Sequence, residues 1–152
     1  DVDAIVVPFG GGGLASGIAT AIRALRPATR VYAAEVATAA PLSASLAGGA
    51  IARIDYRPSF VDGIGSATLF PRMWDLAQSL LDDALIATIP EAEAALRFVA
   101  ERRRVIIEGA AACAVAVALA GRAGGGKVAC IISGGNIDAR TLAAILDPTQ
   151  AT

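Results

Sequence analysis

Histidine is absent from the 152 residues, and lysine occurs once, as Lys127. Without an imidazole there is no histidine-based triad, no histidine general base and no histidine metal ligand. The two cysteines, Cys113 and Cys130, each lie inside an apolar run. They read as small core residues in a reducing cytoplasm, with a disulfide as the alternative. Aromatic residues make up 5% of a chain that is 55% apolar, so the core is built from Ala, Val, Ile and Leu. A net charge of −1 offers no basic face for nucleic acid. The apolar segment Gly109-Ala-Ala-Ala-Cys-Ala-Val-Ala-Val-Ala-Leu-Ala120 falls short of the roughly 20 residues that cross a bilayer. It reads as a buried helix, and no membrane partner is expected. Nothing resembles a signal peptide. The chain opens at Asp1, without methionine and just before an apolar run, so a fragment of a longer protein is expected.

Glycine, by contrast, is concentrated. Gly10 to Gly13 separate the apolar run Asp3-Ala-Ile-Val-Val-Pro-Phe9 from the helical segment Leu14–Leu25. A strand buried on both faces, a glycine turn and a helix N-terminus together make an anion site. Backbone N–H groups point outward there, and glycine has no side chain to hinder approach. A phosphate group is the expected occupant.

Four buried strands are expected, at Ala4–Pro8, Val31–Glu35, Leu85–Ile89 and Lys127–Ser133. Helices are expected over Gly13–Leu25, Pro41–Leu46 and about Ser66–Leu81, where Leu69, Met73, Leu76 and Leu80 have helical spacing. Three more are expected: one from Pro90 to Arg102-Arg-Arg104, one from Gly109, and one near Asp138. The arginines suit a helix C-terminus better than an anion patch. Alternating strands and helices predict a parallel sheet in a three-layer αβα domain covering 1–152. Ligands in such sheets sit beyond the carboxyl ends of the strands. The glycine turn follows the first strand and Ser133-Gly-Gly-Asn136 follows the last, so both face one sheet edge. The loop Arg53–Ser66, with Gly63 and Gly65, is long enough to be functional. Ala123-Gly-Gly-Gly126 reads as a flexible turn.

Two readings of the glycine turn compete. Gly10-x-Gly12-x-x-Ala15 fits a dinucleotide fingerprint, with Glu35 placed where a ribose-binding acid sits. A Walker loop is excluded because no Gly-Lys-Ser/Thr follows. The second reading rests on four motifs in order: Val6-Val-Pro-Phe-Gly-Gly-Gly-Gly-Leu14, Asp62-Gly-Ile64, Glu108-Gly-Ala-Ala111 and Ser133-Gly-Gly-Asn136. Together they resemble the threonine/serine dehydratase family, pyridoxal-phosphate enzymes of the tryptophan synthase β-like fold (fold type II) that are related to serine racemase. The resemblance runs over essentially the whole chain.

It implies that Gly10, Gly11, Gly12, Gly13 and the N–H of Leu14 cradle the phosphate of pyridoxal 5′-phosphate. It places Ser133 on the pyridine nitrogen, and Gly63 of the Asp62-Gly63 loop and Glu108 near the ring. Asp62 has the alternative of a turn residue, and Glu108 that of a helix N-cap or first-turn acid. A neutral hydroxyl on the ring nitrogen implies a largely unprotonated ring, a weaker electron sink than one paired with a carboxylate. The implied reaction is loss of the β-hydroxyl and ammonia from threonine or serine, giving a 2-oxo acid. Racemisation is the related possibility.

The family's Schiff-base lysine lies in a Ser-x-Lys-x-Arg-Gly-type motif that this chain lacks. A seven-residue strand spans roughly 20 Å, so Lys127 cannot reach a ring bound at Ser133. The chain alone is therefore expected to be inactive, with the amine coming from a missing N-terminal segment or a second chain. Some relatives bind a divalent cation. Here Glu35 and Ala39 match that pattern but Pro41 replaces the acid, so Glu35 is equally readable as a strand-end charge. A homo-oligomer is implied for the intact protein.

Overall fold

The computed structural model describes residues 1–147. Four strands, β1 (Ala4–Pro8), β2 (Arg30–Val36), β3 (Asp83–Ala87) and β4 (Val128–Cys130), form one parallel sheet in the order β3-β2-β1-β4. Six helices join them: α1 (Gly13–Leu25), α2 (Pro41–Gly48), α3 (Pro71–Leu80), α4 (Ile89–Arg103), α5 (Gly109–Leu119) and α6 (Ala139–Leu146). No helix among the described residues is long and apolar enough to cross a membrane.

Side chains of a strand alternate between faces, and here the alternation divides the core in two. Ala4, Val6, Tyr32, Ala34 and Val36 pack with α4, α5 and α6. Ile5, Val7, Val31 and Ala33 pack with Ala15 and Ala19 of α1, Leu42 of α2, and Trp74 and Ala77 of α3. The result is the expected αβα sandwich. Helix α5 is buried from Gly109 to Val117 because it lies between the sheet and α4. Alanine at most of its positions lets both neighbours approach closely.

Several boundaries depart from the sequence expectation, each for a local reason. β3 ends at Ala87 rather than Ile89 because Thr88 begins α4 as its N-cap. Thr88 accepts from the Glu91 N–H while Glu91 accepts from the Thr88 N–H, a reciprocal capping box. α3 starts at Pro71 rather than Ser66, since the residue before a proline is pushed out of the helical region; Phe70 has ψ 136°. β4 is three residues long rather than seven, and it pairs only with β1. Beyond Cys130 one further bond, Ile131 N–H to Val6 C=O at 2.9 Å, carries the pairing on. The outer strands β3 and β4 are also only partly buried, whereas β1 is buried throughout.

The turn at 123–126 is built rather than loose. Gly126 has φ +95°, and a Cβ there would collide with the Asp3 carboxylate that accepts from the Lys127 N–H. The three arginines close α4 as expected, with Arg104 in the left-handed C-cap conformation. Cys113 and Cys130 are free thiols, Cys113 in the core.

Candidate functional site

Parallel strands all end at one edge of the sheet. In this order the chain winds outward from β1 to β2 and β3, then crosses back to lay β4 on the other side of β1, so the winding direction reverses beside β1. A crevice opens at such a reversal, outside the strand ends. Here it is a cleft of about 190 Å³ lined by Gly10–Leu14 after β1 and Ser133 after β4. Gly63, Glu108 and Ala110 complete the wall, with Pro8 and Ile64. Every residue expected at a coenzyme site, namely Gly10, Gly11, Gly12, Gly13, Leu14, Gly63, Glu108 and Ser133, therefore borders the same space.

One end of the cleft is a donor surface. Gly12 is the N-cap of α1, with φ +88° and no side-chain cap, and no acid stands in the first turn. The first helical amides have no intrahelical acceptor. Those of Gly11, Gly12, Gly13 and Leu14 find none elsewhere among the described residues, whereas Ser16 N–H already bonds Gly12 C=O. At Gly11 and Gly13 nothing lies within 4 Å of where a side chain would start, so the approach is open. At Gly12 a Cβ would stand 3.1 Å from both Phe9 and Met73. Free amides at the positive end of a helix fit an anionic group such as a phosphate.

The four motifs interlock through their glycines. A Cβ on Gly10 would stand 3.0 Å from Ile64 Cα, and one on Gly109 2.8 Å from Val61 Cα. A Cβ on Gly134 would stand 2.6 Å from a Glu108 carboxylate oxygen, and one on Gly135 2.9 Å from the Ile106 carbonyl. The Glu108 N–H bonds Gly134 C=O at 3.0 Å, which fixes the start of α5 beside the β4 exit. Asp62 is a turn residue whose carbonyl accepts from the Gly65 N–H. Sequence reasoning did not single out Pro8, Ile64 or Ala110 as lining residues. Their signal was adjacency to the glycine motifs.

Glu108 takes the N-cap position of α5, yet its side chain makes no cap bond. Its Oε1 accepts from Ser133 Oγ at 3.1 Å. Lys127 sits at the opposite end of β4, its N–H on Asp3 and its carbonyl on the Asp3 and Ala4 amides. No lysine lines the cleft.

Glu35 is fully buried and outside the cleft. Its Oε1 accepts from Leu42 N–H at 2.8 Å, and its Oε2 from Ser43 N–H at 2.8 Å and Ser43 Oγ at 2.7 Å. The carboxylate thus caps α2 from the end of β2. This overturns the dinucleotide reading, which needs that acid free to meet a ribose. It also gives a poor cation site, because Pro41 brings no side-chain oxygen and both Glu35 oxygens are committed. Ala39 is held in a tight turn by its N–H on the Val36 carbonyl.

A parallel αβα domain with an anion-receiving cleft at its switch point defines a broad class, and comparison with known proteins narrows it. The chain belongs to the pyridoxal-phosphate dependent enzyme family, which matches residues 1–134. It is 37% identical over 151 residues to the L-threonine ammonia-lyase of Geobacter sulfurreducens, covering 97% of this chain and 37% of that one. It is 37% identical over 147 residues to the serine racemase of Bos taurus, covering 93% and 44%. Among solved structures, a threonine deaminase from T.th. superposes with a TM-score of 0.86 at 31% identity, over 91% of this chain and 50% of that one. Maize serine racemase gives 0.85 at 31% identity, over 98% and 48%. The chain therefore spans half or less of the length of these relatives, and its sheet is that of the fold type II coenzyme-binding domain.

Proposed function

We propose that this chain is the C-terminal part of a pyridoxal-phosphate dependent ammonia-lyase that removes the β-hydroxyl and the amino group of threonine or serine. One observation carries the reading. Residues from four motifs scattered over the chain line a single cleft whose one end is a row of unpartnered amides. The named relatives, threonine ammonia-lyases and serine racemases, supply the reaction class.

In this reading the amides of Gly11, Gly12, Gly13 and Leu14 hold the coenzyme phosphate, and Gly10 lets the Gly63–Ile64 turn close against the cradle. Ser133 meets the ring nitrogen, with Glu108 behind it. When bound, the coenzyme supplies an electron sink for carbanion chemistry at the amino acid's α-carbon. The chain's own residues bind and orient it. They do not provide the amine it must be joined to, since Lys127 lies at the far rim. That amine comes from the rest of the polypeptide or from a second chain, and the 152 residues alone turn nothing over.

The test is on the full-length protein. With threonine or serine it releases ammonia and a 2-oxo acid, and it carries a visible coenzyme band that borohydride bleaches. The 152-residue chain shows neither. Adding the N-terminal portion to it restores both. A full-length protein that carries the band but only interconverts serine enantiomers supports the racemase reading instead, since identity is 37% to both the ammonia-lyase and the bovine serine racemase and does not separate them. Absence of any coenzyme band in the full-length protein overturns both.

A further inference from the structure

Asp62 is the one aspartate of the chain that is followed by glycine. The pair sets a side-chain carboxyl beside a main-chain nitrogen with no side chain on the second residue to hinder their approach. Both groups are free here. Asp62 and Gly63 are exposed. Among the described residues the Asp62 carboxylate makes no hydrogen bond or ion pair, and the Gly63 N–H has no acceptor.

The other aspartates differ. Asp3 accepts from the Lys127 N–H, Asp82 from the Val31 N–H and Arg23, and Asp138 from the Arg140 and Thr141 amides. Asp83 is held in β3. Asp1, Asp55 and Asp75 are followed by Val2, Tyr56 and Leu76, whose side chains crowd the nitrogen, and Asp147 by a proline, which has no N–H.

On either side of the Asp62–Gly63 bond the chain is anchored. A Cβ on Gly109 would stand 2.8 Å from Val61 Cα, and one on Gly10 would stand 3.0 Å from Ile64 Cα and 3.3 Å from the Gly63 carbonyl oxygen. The Asp62 carbonyl accepts from the Gly65 N–H at 3.2 Å. Gly63 and Ile64 themselves line the cleft.

We propose that Asp62–Gly63 is a site of spontaneous backbone isomerisation that disables the cleft. The Gly63 nitrogen attacks Asp62 Cγ. A C–N bond forms, the Cγ–OH bond breaks, and the hydroxyl leaves with the amide proton as water, closing a five-membered imide. Water then reopens the ring. Opening at Cγ restores aspartate. Opening at the main-chain carbonyl leaves isoaspartate, in which the chain runs through Cγ and the former carbonyl becomes a free carboxylate. The water released is the water returned, so no other reactant is needed. The product backbone is longer by one C–C bond of about 1.5 Å. It has also lost the carbonyl that held the Gly65 N–H. With Val61 and Ile64 anchored, the added length moves the Gly63–Ile64 turn against the amide cradle. The effect on binding rests on the reading of the cleft as the coenzyme site; the isomerisation does not.

The test ages coenzyme-free full-length protein at neutral pH and physiological temperature. Peptide mapping with electron-transfer fragmentation, which separates isoaspartate from aspartate at equal mass, reads every aspartate. Uptake of pyridoxal 5′-phosphate is titrated on the same samples. Isoaspartate accumulates at Asp62 several times faster than at any other aspartate, and uptake falls in proportion. Asp62→Glu would have to close a larger ring, so it loses uptake far more slowly, each variant being compared with its own unaged sample. Gly63→Ala also slows the isomerisation. Its Cβ meets only ordinary contacts, 3.5 Å from Ala110 Cβ and 3.8 Å from Glu108 Oε1, so the variant folds. Isoaspartate absent from Asp62, or spread evenly over the aspartates, overturns the proposal. So does isoaspartate at Asp62 with uptake unchanged. Failure of the unaged protein to take up the coenzyme overturns the reading of the cleft, and the peptide map then decides the isomerisation alone.

Discussion

Glu35 and Ser43 meet through two bonds on one carboxylate oxygen: Oε2 accepts the Ser43 amide at 2.8 Å and the Ser43 hydroxyl at 2.7 Å. With Leu42 N–H on Oε1, a side chain at the end of a central strand closes the first turn of the following helix. Glu35→Ala leaves two amides and a hydroxyl without their acceptor in a buried place, and the expected loss is at least about 2 kcal/mol. Urea unfolding of the variant against the parent measures it.

The same residue gives a pH signature. Burial raises the Glu35 carboxyl above its ordinary value of 4.5, outweighing the Ser43 and Leu42 bonds that lower it. The folded chain therefore keeps this proton to higher pH than the unfolded chain does. Stability from this group is full below 4.5 and declines as pH rises through the folded value. Glu35→Gln should flatten that decline in unfolding midpoints recorded from pH 4 upward. Because both oxygens are engaged, magnesium or calcium, added or chelated away, should leave the midpoint of the parent unmoved.

Gly10 and Gly12 separate two kinds of damage. Gly12→Ala puts a side chain at φ +88° and against Phe9 and Met73, so it should destabilise the fold by about 1–3 kcal/mol. Gly10→Ala presses on Ile64 Cα and should chiefly displace the 62–65 turn from the cradle. Thermal unfolding of both variants, beside phosphate titrations of the full-length protein, distinguishes them. Gly10→Ala should lose more binding for each degree of lost stability.

The start of α4 predicts behaviour in acid. Arg122, and then the Thr88 backbone, hold the Glu91 carboxyl down at about 2. Its stabilising effect is present above 4.5 and drains away as pH falls toward 2. The pair is about one-third exposed on each side, so solvent keeps its worth to about 1 kcal/mol or less. Thr88→Ala should cost about 1 kcal/mol through the lost cap. Acid titration of Glu91→Gln should lack the parent's loss between those two pH values.

Cys113 tests the core. Burial pushes its thiol up to about 12, and Cys130 is raised for the same reason. The thiolate is the reactive form. A thiol reagent at pH 8 should therefore leave Cys113 unlabelled until the chain unfolds, with Cys130 reacting sooner. Mass spectrometry of peptides after timed labelling reads both rates.

The parallel sheet, the layer order and the cleft were legible in the sequence because each had a strong local sign. Near-continuous apolar runs marked the inner strands, and glycine clusters marked the exits of β1 and β4. The ends of elements were less legible. The Thr88–Glu91 box was visible as a threonine three residues before a glutamate, yet the apolar Ile89 drew the strand onward. β4 was overextended because Ile131 and Ile132 read as buried strand although β4 pairs on one side only. Glu35 and Glu108 were the harder cases. An acid after a strand and an acid before a helix are each compatible with several partners, and only three-dimensional placement decides between them. Glu35 turned to α2, and Glu108 turned away from α5 to a serine 25 residues further along the chain.

The glycine contacts around the cleft have a consequence for how this region tolerates change. A surface loop ordinarily absorbs substitutions and insertions by itself. Here Gly10 touches the 63–64 turn, Gly109 touches Phe60 and Val61, and Gly134 and Gly135 touch Glu108 and Ile106. No one of these segments can gain bulk unless a neighbour gives way. Grafting one of them in from a relative should therefore fail singly and succeed only when its partner segments travel with it.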